Sequence, residues 1–417
     1  MIGEIPFTRR RLGIVLHDLS LGGTERIALR LANQWARQGM DVTVFCGNRA
    51  GPLVALPDPS VRVCEATPPI RRGPGSRLRL AAAAAAYFNA HPVDVCFLPG
   101  NFHWPVAPAL ARLPPDTRPR VVAQVSAALD KPQRGWLRQS WFNLRMRRLL
   151  RAVDGVICMS RRAQDQAEWI LRRHCAVRIP LPALDDNSPS PVAVPAGSRT
   201  LVAAGRLVPE KGFHQLISAF AQAGDAEARL VIIGSGPLQR ELQSHAARLG
   251  LAKRVLLPGY SPGIRPWLDR ARAFVLASRY EGFPAVLIEA LAAGRQVITT
   301  RCTHAVEELA IDADVGAVVP IDDVQAMAAA IRYMLDTPPA DPAMIAAGVA
   351  GYRIGPLAAQ YLQAFDRLGV KADARGNLPP QPLPPRPLAP RPSTPVPQAA
   401  PRLGDAVTDF DAQSVQR

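Results

Sequence analysis

Two basic residues stand at a predicted strand-to-helix turn in the second half of the chain. The segment GRLVPEKG runs from Gly205 to Gly212 and places Arg206 and Lys211 just before the helical pattern FHQLISAFAQ. A helix N-terminus favours anions because its first N–H groups are unpaired and its dipole is positive there. Lysine is scarce, with four lysines among 50 basic residues. The pattern therefore predicts a diphosphate cradle without a Walker motif, the alternative being a solvated surface loop.

Two glutamates follow eight residues apart in SRYEGFPAVLIEALAAG, at Glu281 and Glu289. Pro284 marks a helix start, which puts Glu281 in the preceding loop and Glu289 more than one turn inside the helix. An unpaired carboxylate among apolar neighbours is costly. Glu289 is therefore a candidate acceptor of hydrogen bonds from a pair of ligand hydroxyls, and the alternative is a solvated helix glutamate.

Two pairs of glycines precede other helical patterns. Gly22 and Gly23 lie in HDLSLGGTERIALRLA, and Gly234 and Gly236 lie in IIGSGPLQREL. Glycine lets the backbone come close to a phosphate or a sugar. A flexible turn, or close packing of a strand on a helix, explains such glycines as well.

The elements that must position these residues alternate along the whole chain. Apolar runs typical of buried parallel strands are RLGIVL, DVTVFCG, VDVCFLPG, RVVAQVS and DGVICMS in the first half and TLVAAGRL, ARLVIIGSG, RVLLPGY, AFVLAS, RQVITT and GAVVP in the second. Helical patterns separate most of them, and 417 residues are too many for one hydrophobic core. This alternation predicts an α/β fold of two Rossmann-like, doubly wound domains that face each other across a cleft.

Composition sets the expected domain boundaries. We predict a first domain over residues 1–180, a linker rich in Pro, Ser and Asp over 181–198, and a second domain over 199–350. A closing helix follows over 351–370, and residues 371–417 form a disordered tail. Residues 377–401 carry 11 of the 42 prolines, which predicts an extended polyproline-type segment. A partner-docking PxxP motif is the alternative for this tail.

Three motifs in this order resemble one family. G-G-x-E-R near the N-terminus, G-R-L-x-x-E-K-G and E-G-F-P-x-x-L-x-E-A-L-A-A-G are similar to those of retaining GT-B-fold glycosyltransferases of family 4, the group 1 glycosyltransferases. The likeness extends over about residues 11 to 369. It implies transfer of a sugar, with retention, from a nucleotide-diphosphate sugar (UDP or GDP) to a glycan or lipid-linked acceptor. The products would be lipopolysaccharide, exopolysaccharide or glycolipid.

The resemblance also implies roles for the residues that match its motifs. Arg206 and Lys211 would bind the donor diphosphate, Glu289 the ribose hydroxyls, and Glu281 the hydroxyls of the transferred sugar. The predicted catalytic residues are thus Glu281, Arg206 and Lys211, with neither metal nor cofactor. The remaining donor-binding candidates act through the backbone: Gly22 and Gly23 from the opposite wall, Gly234, and the N–H groups near Phe283 and Ala285.

The residues expected on the acceptor side differ from those of many family members. Many relatives carry a histidine at the end of a first-domain strand, but the matching strand RVVAQVSAALD has Ser126 after Val125 and no histidine. His17 and His103 lie at other strand ends. We therefore take His17, His103 and Ser126 as acceptor-side candidates, the alternative being that the histidines are structural.

The net charge of +16 is unevenly distributed. Residues 1–190 carry 27 basic and 14 acidic residues, whereas residues 191–370 carry 17 and 16. A basic, aromatic stretch in the first half predicts contact with an anionic membrane surface, the alternative being Arg-rich solvated helix faces. It contains Arg134, Arg138, Arg145, Arg147, Arg148 and Arg151 around Trp136, Leu137, Trp141, Phe142, Leu144 and Leu149.

Other classes fit less well. The six cysteines are scattered without a C-x-x-C pair, which argues against zinc and disulfides. No apolar run approaches 18 residues and the N-terminus does not look like a signal peptide, so we expect a cytoplasmic protein, at most peripheral on the inner membrane face. A nucleic-acid-binding protein is disfavoured because aromatic residues are only 6% of the chain. A nucleotide-sugar epimerase on the same architecture is the remaining alternative, disfavoured by the pairing of the two second-half motifs.

Overall fold

The computed structural model describes residues 10–20, 22–127, 129, 135–309 and 311–367, all within one compact unit. The predicted Pro-rich tail lies outside these residues.

Seven parallel strands form the first sheet, in the order β3-β2-β1-β4-β5-β6-β7. They are β1 (Arg11–Asp18), β2 (Asp41–Asn48), β3 (Arg62–Glu65), β4 (Val95–Leu98), β5 (Arg120–Val125), β6 (Gly155–Cys158) and β7 (Ala176–Arg178). Five of them fall in the predicted apolar runs. The short strands β3 and β7 were not predicted, because both are only partly buried and lack a continuous apolar run.

Six parallel strands form the second sheet, in the order β10-β9-β8-β11-β12-β13. They are β8 (Thr200–Ala204), β9 (Arg229–Ile233), β10 (Val255–Gly259), β11 (Ala273–Leu276), β12 (Gln296–Thr300) and β13 (Gly316–Val319). Each predicted run in this half forms one strand. Together the two sheets and their helices confirm the predicted α/β class.

Helices connect the strands of both sheets. In the first half they are α1 (Gly23–Arg37), α2 (Ser76–Ala90), α3 (Ala107–Leu110), α4 (Gly135–Leu150) and α5 (Arg161–Leu171). The second half contains α6 (Phe213–Ala223), α7 (Gln239–Arg248), α8 (Arg265–Leu268), α9 (Ala285–Ala292), α10 (Ala305–Glu308), α11 (Val324–Asp336), α12 (Pro342–Ala347) and α13 (Ile354–Arg367). In the described part of the chain, none is long and apolar enough to cross a membrane.

The C-terminal helix α13 packs on the first half of the chain. Trp35 of α1 donates its indole N–H to the carbonyl of Ala358 (3.1 Å), and Gln124 of β5 donates to the Tyr361 hydroxyl (2.8 Å). The rings of Tyr361 and Phe365 pack against Trp35, with centroids 5.9 and 5.5 Å away. The chain thus returns from the second sheet to close over the first.

The order of strands reverses once in each sheet. Successive strands run outward from β1 on one side and from β4 on the other, and the same holds for β8 and β11 in the second sheet. Parallel sheets bind ligands outside the carboxyl ends of their strands, at such switch points. The two places to look for a site are therefore the loops after β1 and β4 and those after β8 and β11.

Candidate functional site

The loop after β8 carries the two predicted cations to the second switch point. Arg206 follows the strand by two residues, and Lys211 ends a 3-10 turn directly before α6. Gly212, between that turn and α6, has φ +65°, and a Cβ there would lie 2.0 Å from the carbonyl oxygen of Ala277 beyond β11. Only glycine allows this approach, so the two loops are locked together at the switch point.

Lys211 and Glu281 meet across this junction. The Lys211 ammonium donates to Glu281 Oε1 at 2.5 Å, and the Ser278 hydroxyl donates to the same oxygen at 2.7 Å. Both charged side chains are largely buried, at 18% and 14% exposed. Within the described residues, Glu281 Oε2 makes no hydrogen bond. The pair therefore holds one carboxylate oxygen in place and leaves the other available to a ligand.

Arg206 differs from Lys211 in having no partner in the part of the chain that the structure describes. Its side chain is exposed and makes no hydrogen bond or ion pair with any described residue. It is thus a positive charge, on the same loop as Lys211, that an anionic ligand could neutralise.

Glu289 lies in the second turn of α9, flanked by the buried Ile288 and Ala290. Its carboxylate makes no hydrogen bond within the described residues. Burial raises its pKa, while the charges of Arg26 and Arg30 oppose that rise. Both arginines belong to α1, so Glu289 faces the first half of the molecule across the cleft.

The start of α9 offers unpaired backbone donors. Pro284 is the N-cap and has no N–H, and no side chain caps the helix. The N–H groups of Phe283 and Ala285 donate to no acceptor among the described residues. These are the two backbone positions that the family resemblance assigns to the donor sugar.

Backbone packing accounts for Gly234 and Gly236. A Cβ on Gly234 would lie 1.9 Å from the carbonyl oxygen of Gly205, and one on Gly236 would lie 2.5 Å from that of Leu207. The loops after β8 and β9 therefore touch through these glycines. A ligand contact at Gly234 stays a prediction.

At the first switch point, the two glycines at the start of α1 differ in the space around them. Gly22 is the N-cap, and a Cβ there would lie 2.0 Å from Glu25 Oε2, so it must be small to accommodate that carboxylate. Gly23 is exposed, and a Cβ there would meet nothing within 4 Å. Gly23 therefore leaves open space at this point, and its contact with the donor phosphates stays a prediction.

The two candidate histidines are buried and linked. His103 Nε2 accepts the backbone N–H of His17 at 3.0 Å, and His103 Nδ1 donates to the carbonyl of Pro99 at 2.5 Å. Burial lowers the pKa of His103 to about 4. His103 therefore ties the end of β1 to the loop after β4, with both ring nitrogens occupied. Its acceptor-side role stays a prediction, as does that of His17.

An ionic network that the sequence did not reveal surrounds His17. Arg72 bonds both Asp18 and Glu25, and His17 Nδ1 lies 3.2 Å from Asp18 Oδ2. Burial disfavours the ionised Asp18, but hydrogen bonds from His17, Arg72 and Ser20 hold its pKa well below the usual range. Arg72 is 54 residues from Asp18 and 47 from Glu25, so only the fold brings this arginine to the two carboxylates.

Ser126 lies where the two halves touch. Its backbone N–H donates to Asn101 Oδ1 at 3.0 Å. A Cβ on Gly282, next to Glu281, would lie 2.2 Å from the Ser126 carbonyl oxygen. The loop carrying Glu281 therefore rests directly on the carboxyl end of β5.

Metal ligands are not grouped at either switch point. Among the described residues, no three His, Cys, Asp or Glu side chains are placed to hold a metal ion. An Asp-x-Asp sequence occurs at Asp312 and Asp314. It precedes β13 and so lies at the amino ends of the strands, away from the switch point, and Asp312 Oδ1 accepts the Asp314 N–H there. A second, at residues 409–411, lies outside the described residues.

Curated relatives resemble parts of this chain. A Salmonella typhi Vi polysaccharide biosynthesis protein, VipC/TviE, is 46% identical over 72 residues, 17% of this chain and 12% of that protein. A Campylobacter jejuni N-acetylgalactosamine-N,N'-diacetylbacillosaminyl-diphospho-undecaprenol 4-alpha-N-acetylgalactosaminyltransferase is 33% identical over 136 residues, 33% of this chain and 37% of that enzyme. The lipopolysaccharide core biosynthesis glycosyltransferase LpsE of Rhizobium meliloti is 32% identical over 141 residues, which are 34% of this chain and 41% of that enzyme. Each match spans less than half of the relative.

Solved structures match most of the chain in fold. Sucrose-phosphate synthase of Thermosynechococcus elongatus superposes with a TM-score of 0.69 at 21% identity, covering 87% of this chain and 99% of that one. Anabaena HepE in complex with UDP and glucose gives a TM-score of 0.67 at 18% identity, covering 86% and 99%. These likenesses concern the fold alone.

Two family models match successive parts of the chain. The Glycosyltransferase Family 4 model matches residues 21–179, and the Glycosyl transferases group 1 model matches residues 185–349. The second match contains Arg206, Lys211, Glu281 and Glu289. With the two doubly wound sheets, these matches confirm the family that the motifs indicated. The chain belongs to the group 1 glycosyltransferases of GT-B fold.

Proposed function

We propose that this protein transfers a sugar, with retention and without a metal ion, from a nucleotide-diphosphate sugar to a glycan or lipid-linked acceptor. The observation that carries the proposal is the arrangement at the second switch point. Arg206 lies on the same loop as Lys211, whose partner Glu281 keeps one carboxylate oxygen free, and Glu289 lies on the same half; among the described residues Arg206 and Glu289 have no hydrogen-bond partner. These groups match the parts of one ligand: a diphosphate, a sugar and a ribose.

Each group then has a chemical task. Arg206 and Lys211 neutralise the charge that develops on the leaving diphosphate as the bond to the anomeric carbon breaks. Glu281 Oε2 accepts hydrogen bonds from hydroxyls of the transferred sugar, while Ser278 and Lys211 hold the carboxylate. Glu289 accepts hydrogen bonds from the ribose, which requires its ionised form, and Arg26 and Arg30 favour that form.

Retention follows if the acceptor attacks on the face from which the diphosphate departs. The acceptor hydroxyl forms the new C–O bond and passes its proton to the leaving diphosphate, so no protein nucleophile is needed. A retaining glycosidase would need two carboxylates about 5 Å apart, whereas Glu281 and Glu289 have different tasks. Assignment of the product's anomeric configuration by NMR tests this step, and an inverted product would contradict it.

A thermal-shift screen tests the donor site. UDP, GDP, ADP and their sugar conjugates are added to the full chain, and one nucleotide series should raise the melting temperature because only the folded protein binds it. The shift should be much smaller in Glu289→Ala, whereas Glu227→Ala, which changes an exposed glutamate outside the site, should keep it. Failure of every nucleotide to stabilise the protein would defeat the proposal.

The acceptor is proposed to belong to polysaccharide synthesis. The matched relatives are named for Vi polysaccharide, lipopolysaccharide core and undecaprenol-linked glycan synthesis. Such acceptors are built on lipids, which would place the enzyme at the cytoplasmic membrane face.

Helix α4 supports the membrane part of this proposal. Leu137, Trp141 and Leu144 share one side of the helix at i, i+4 and i+7 spacing, and they are 64%, 64% and 50% exposed. Trp136 is 77% exposed, and the Arg145 guanidinium lies 5.7 Å from the centre of the Trp141 ring. Exposed apolar groups beside arginines suit the headgroup region of an anionic bilayer. Phe142 and Leu149 instead pack towards the core, and Arg134 lies outside the described residues.

Flotation with liposomes tests this surface. The full chain should float with anionic vesicles at low salt and much less with neutral ones, and Trp136→Ala/Trp141→Ala should lose the difference. Tyr333→Ala removes an aromatic side chain that is 55% exposed on the second half and should float normally. If Trp136→Ala/Trp141→Ala and Tyr333→Ala both float as well as the wild type, α4 is not the membrane-binding surface.

A further inference from the structure

Glu308, the last residue of α10, joins the second half of the chain to the first. Its Oε1 accepts the backbone N–H of Arg161 at 2.7 Å, and its Oε2 accepts a hydrogen bond from Arg178 Nη2 at 2.8 Å. These partners are 147 and 130 residues away in the sequence. The Glu308 and Arg178 side chains are 19% and 24% exposed. Both carboxylate oxygens are therefore bonded to the first half, in a largely buried position.

Two positive groups of the first half meet this carboxylate: the Arg178 guanidinium and the N-terminus of α5. Arg161 is the first residue of α5, and the N-cap Ser160 accepts the N–H of Ala163 at 3.2 Å, which leaves the N–H of Arg161 to Glu308. A helix N-terminus favours a negative charge, and hydrogen bonds between charged groups are stronger than those between neutral ones. Exposed ion pairs add little to stability, but Glu308 is largely buried. It therefore connects the two halves firmly.

The segment that ends at Glu308 begins beside the loop that carries Glu281. The Thr303 hydroxyl donates to the carbonyl of Gly282, the residue after Glu281, at 2.8 Å. Segment 303–308 thus supports the Glu281 loop at one end and is bonded to the first half at the other. Because the segment is only six residues long, a shift of Glu308 should move the support of this loop.

The first half also contacts the Glu281 loop directly. Gly282 lies against the carboxyl end of β5, since a Cβ on Gly282 would be 2.2 Å from the carbonyl oxygen of Ser126. The loop is therefore held by both Ser126 and Thr303. The distance between these two supports depends on how closely the halves are joined, and Glu308 joins them. The position of the free carboxylate oxygen of Glu281 thus depends on Glu308.

We propose that Glu308 is a positioning residue for sugar transfer: by holding segment 303–308 to the first half, it fixes the Glu281 loop against the transferred sugar. This inference rests on the proposed function and adds to it a residue that acts without contact to donor or acceptor. The groups proposed to bind the diphosphate and the ribose lie outside this segment. Glu308 therefore acts on the sugar and not on the nucleotide.

Calorimetric titration of the full chain tests the inference with two ligands, the nucleoside diphosphate and the nucleotide sugar found by thermal shift. Glu308→Gln keeps the shape of the side chain but removes its charge and one of its two acceptor oxygens. This variant should bind the nucleoside diphosphate as the wild type does. It should bind the nucleotide sugar about tenfold more weakly, the loss expected for one hydrogen bond between Glu281 and a sugar hydroxyl. A merely structural role would lower the melting temperature without separating the two ligands.

Arg178 provides a second test of the same ion pair. Arg178→Met removes the charged partner and should weaken binding of the nucleotide sugar alone, whereas Arg178→Lys keeps a positive charge and should lose less affinity. The double variant Glu308→Gln/Arg178→Met should lose about as much affinity as the weaker-binding single variant, because both substitutions break one shared contact. Simple addition of the two losses would show that the residues act separately and would overturn the inference.

Glu307→Gln is the matched control. Glu307 precedes Glu308, is 56% exposed, and lies 3.7 Å from His304 Nδ1 of the same segment, so this variant should bind both ligands as the wild type does. Equal effects of Glu307→Gln and Glu308→Gln, equal loss of the two ligands in Glu308→Gln, or no loss of either would overturn the inference. So would a wild type that binds the nucleoside diphosphate and none of its sugars. Absence of nucleotide binding in the wild type would instead overturn the proposed function.

Discussion

The two switch points of this molecule have the same arrangement of strands but differ in whether their polar and charged side chains are bonded to other residues. Among the described residues after β8 and β11, Arg206 has no partner and Glu281 keeps one oxygen free, and Glu289 of α9 makes no hydrogen bond. After β1 and β4, both ring nitrogens of His103 are bonded, and Arg72 is shared between two carboxylates.

In the proposed function, the second switch point binds the ligand, whereas the first mainly supports the fold. Unsatisfied charges at the second switch point cost stability in the free protein and gain partners when a ligand arrives. The bonded groups at the first switch point mainly hold the ends of β1 and β4 together.

The largest expected effect comes from Lys211→Ala. Loss of one positive charge at the leaving diphosphate should lower turnover roughly 100-fold to 1,000-fold, as removal of one stabilising donor does in other enzymes. Steady-state kinetics with the identified donor measures it. Lys253→Ala, which removes another exposed lysine of the same half, should keep full activity. If the two variants behave alike, Lys211 has no place at the site.

Glu289→Ala should weaken nucleotide binding about tenfold to a hundredfold, because a carboxylate that accepts ribose hydrogen bonds is lost. Titration calorimetry measures the change. The wild-type affinity should also fall on acidification with a midpoint above the ordinary glutamate range, since burial raises the pKa of Glu289 and binding needs its ionised form. Glu289→Gln should remove that pH dependence, and its persistence would assign the titration to another group.

His103→Leu should act on stability instead. It leaves the His17 N–H and the Pro99 carbonyl without partners, which should lower the free energy of unfolding by about 2 kcal/mol. Urea unfolding measures this, and nucleotide affinity in the folded variant should be unchanged. A variant of normal stability with impaired nucleotide binding would show that the first switch point is not chiefly structural.

The smallest effect is a pH dependence of unfolding. The pKa of His103 is lowered from 6.5 to about 4 in the folded protein, so the unfolded chain binds more protons between these values. The His103 contribution is therefore complete above pH 6.5 and declines as the pH falls towards 4. The free energy of unfolding of the wild type should fall between pH 7 and pH 5. In His103→Leu this fall should be smaller by about 1–2 kcal/mol. An unchanged difference would contradict the buried, neutral histidine.

Local pattern was enough to predict most of the second half. Each of its six strands is an apolar run, and the site residues occupy short motifs at strand ends. Contacts between distant elements were not predictable in this way. Lys211 and Glu281 are 70 residues apart, and neither their ion pair nor the role of Ser278 is visible before the strands are ordered. The return of α13 to α1 and the His17–His103 bond escaped for the same reason, because side-chain type does not identify a remote partner.

In the proposed function, the arginine and lysine that bind the donor diphosphate lie at the second switch point and not at the first. Arg206 and Arg77 are exposed arginines at the two switch points, Arg77 lying with its guanidinium 5.3 Å from the Phe102 ring centre. Calorimetric titration of the nucleoside diphosphate into Arg206→Ala and Arg77→Ala compares them directly. Binding should be about tenfold weaker in Arg206→Ala and equal to that of the wild type in Arg77→Ala. Weaker binding in Arg77→Ala together with wild-type binding in Arg206→Ala would contradict it.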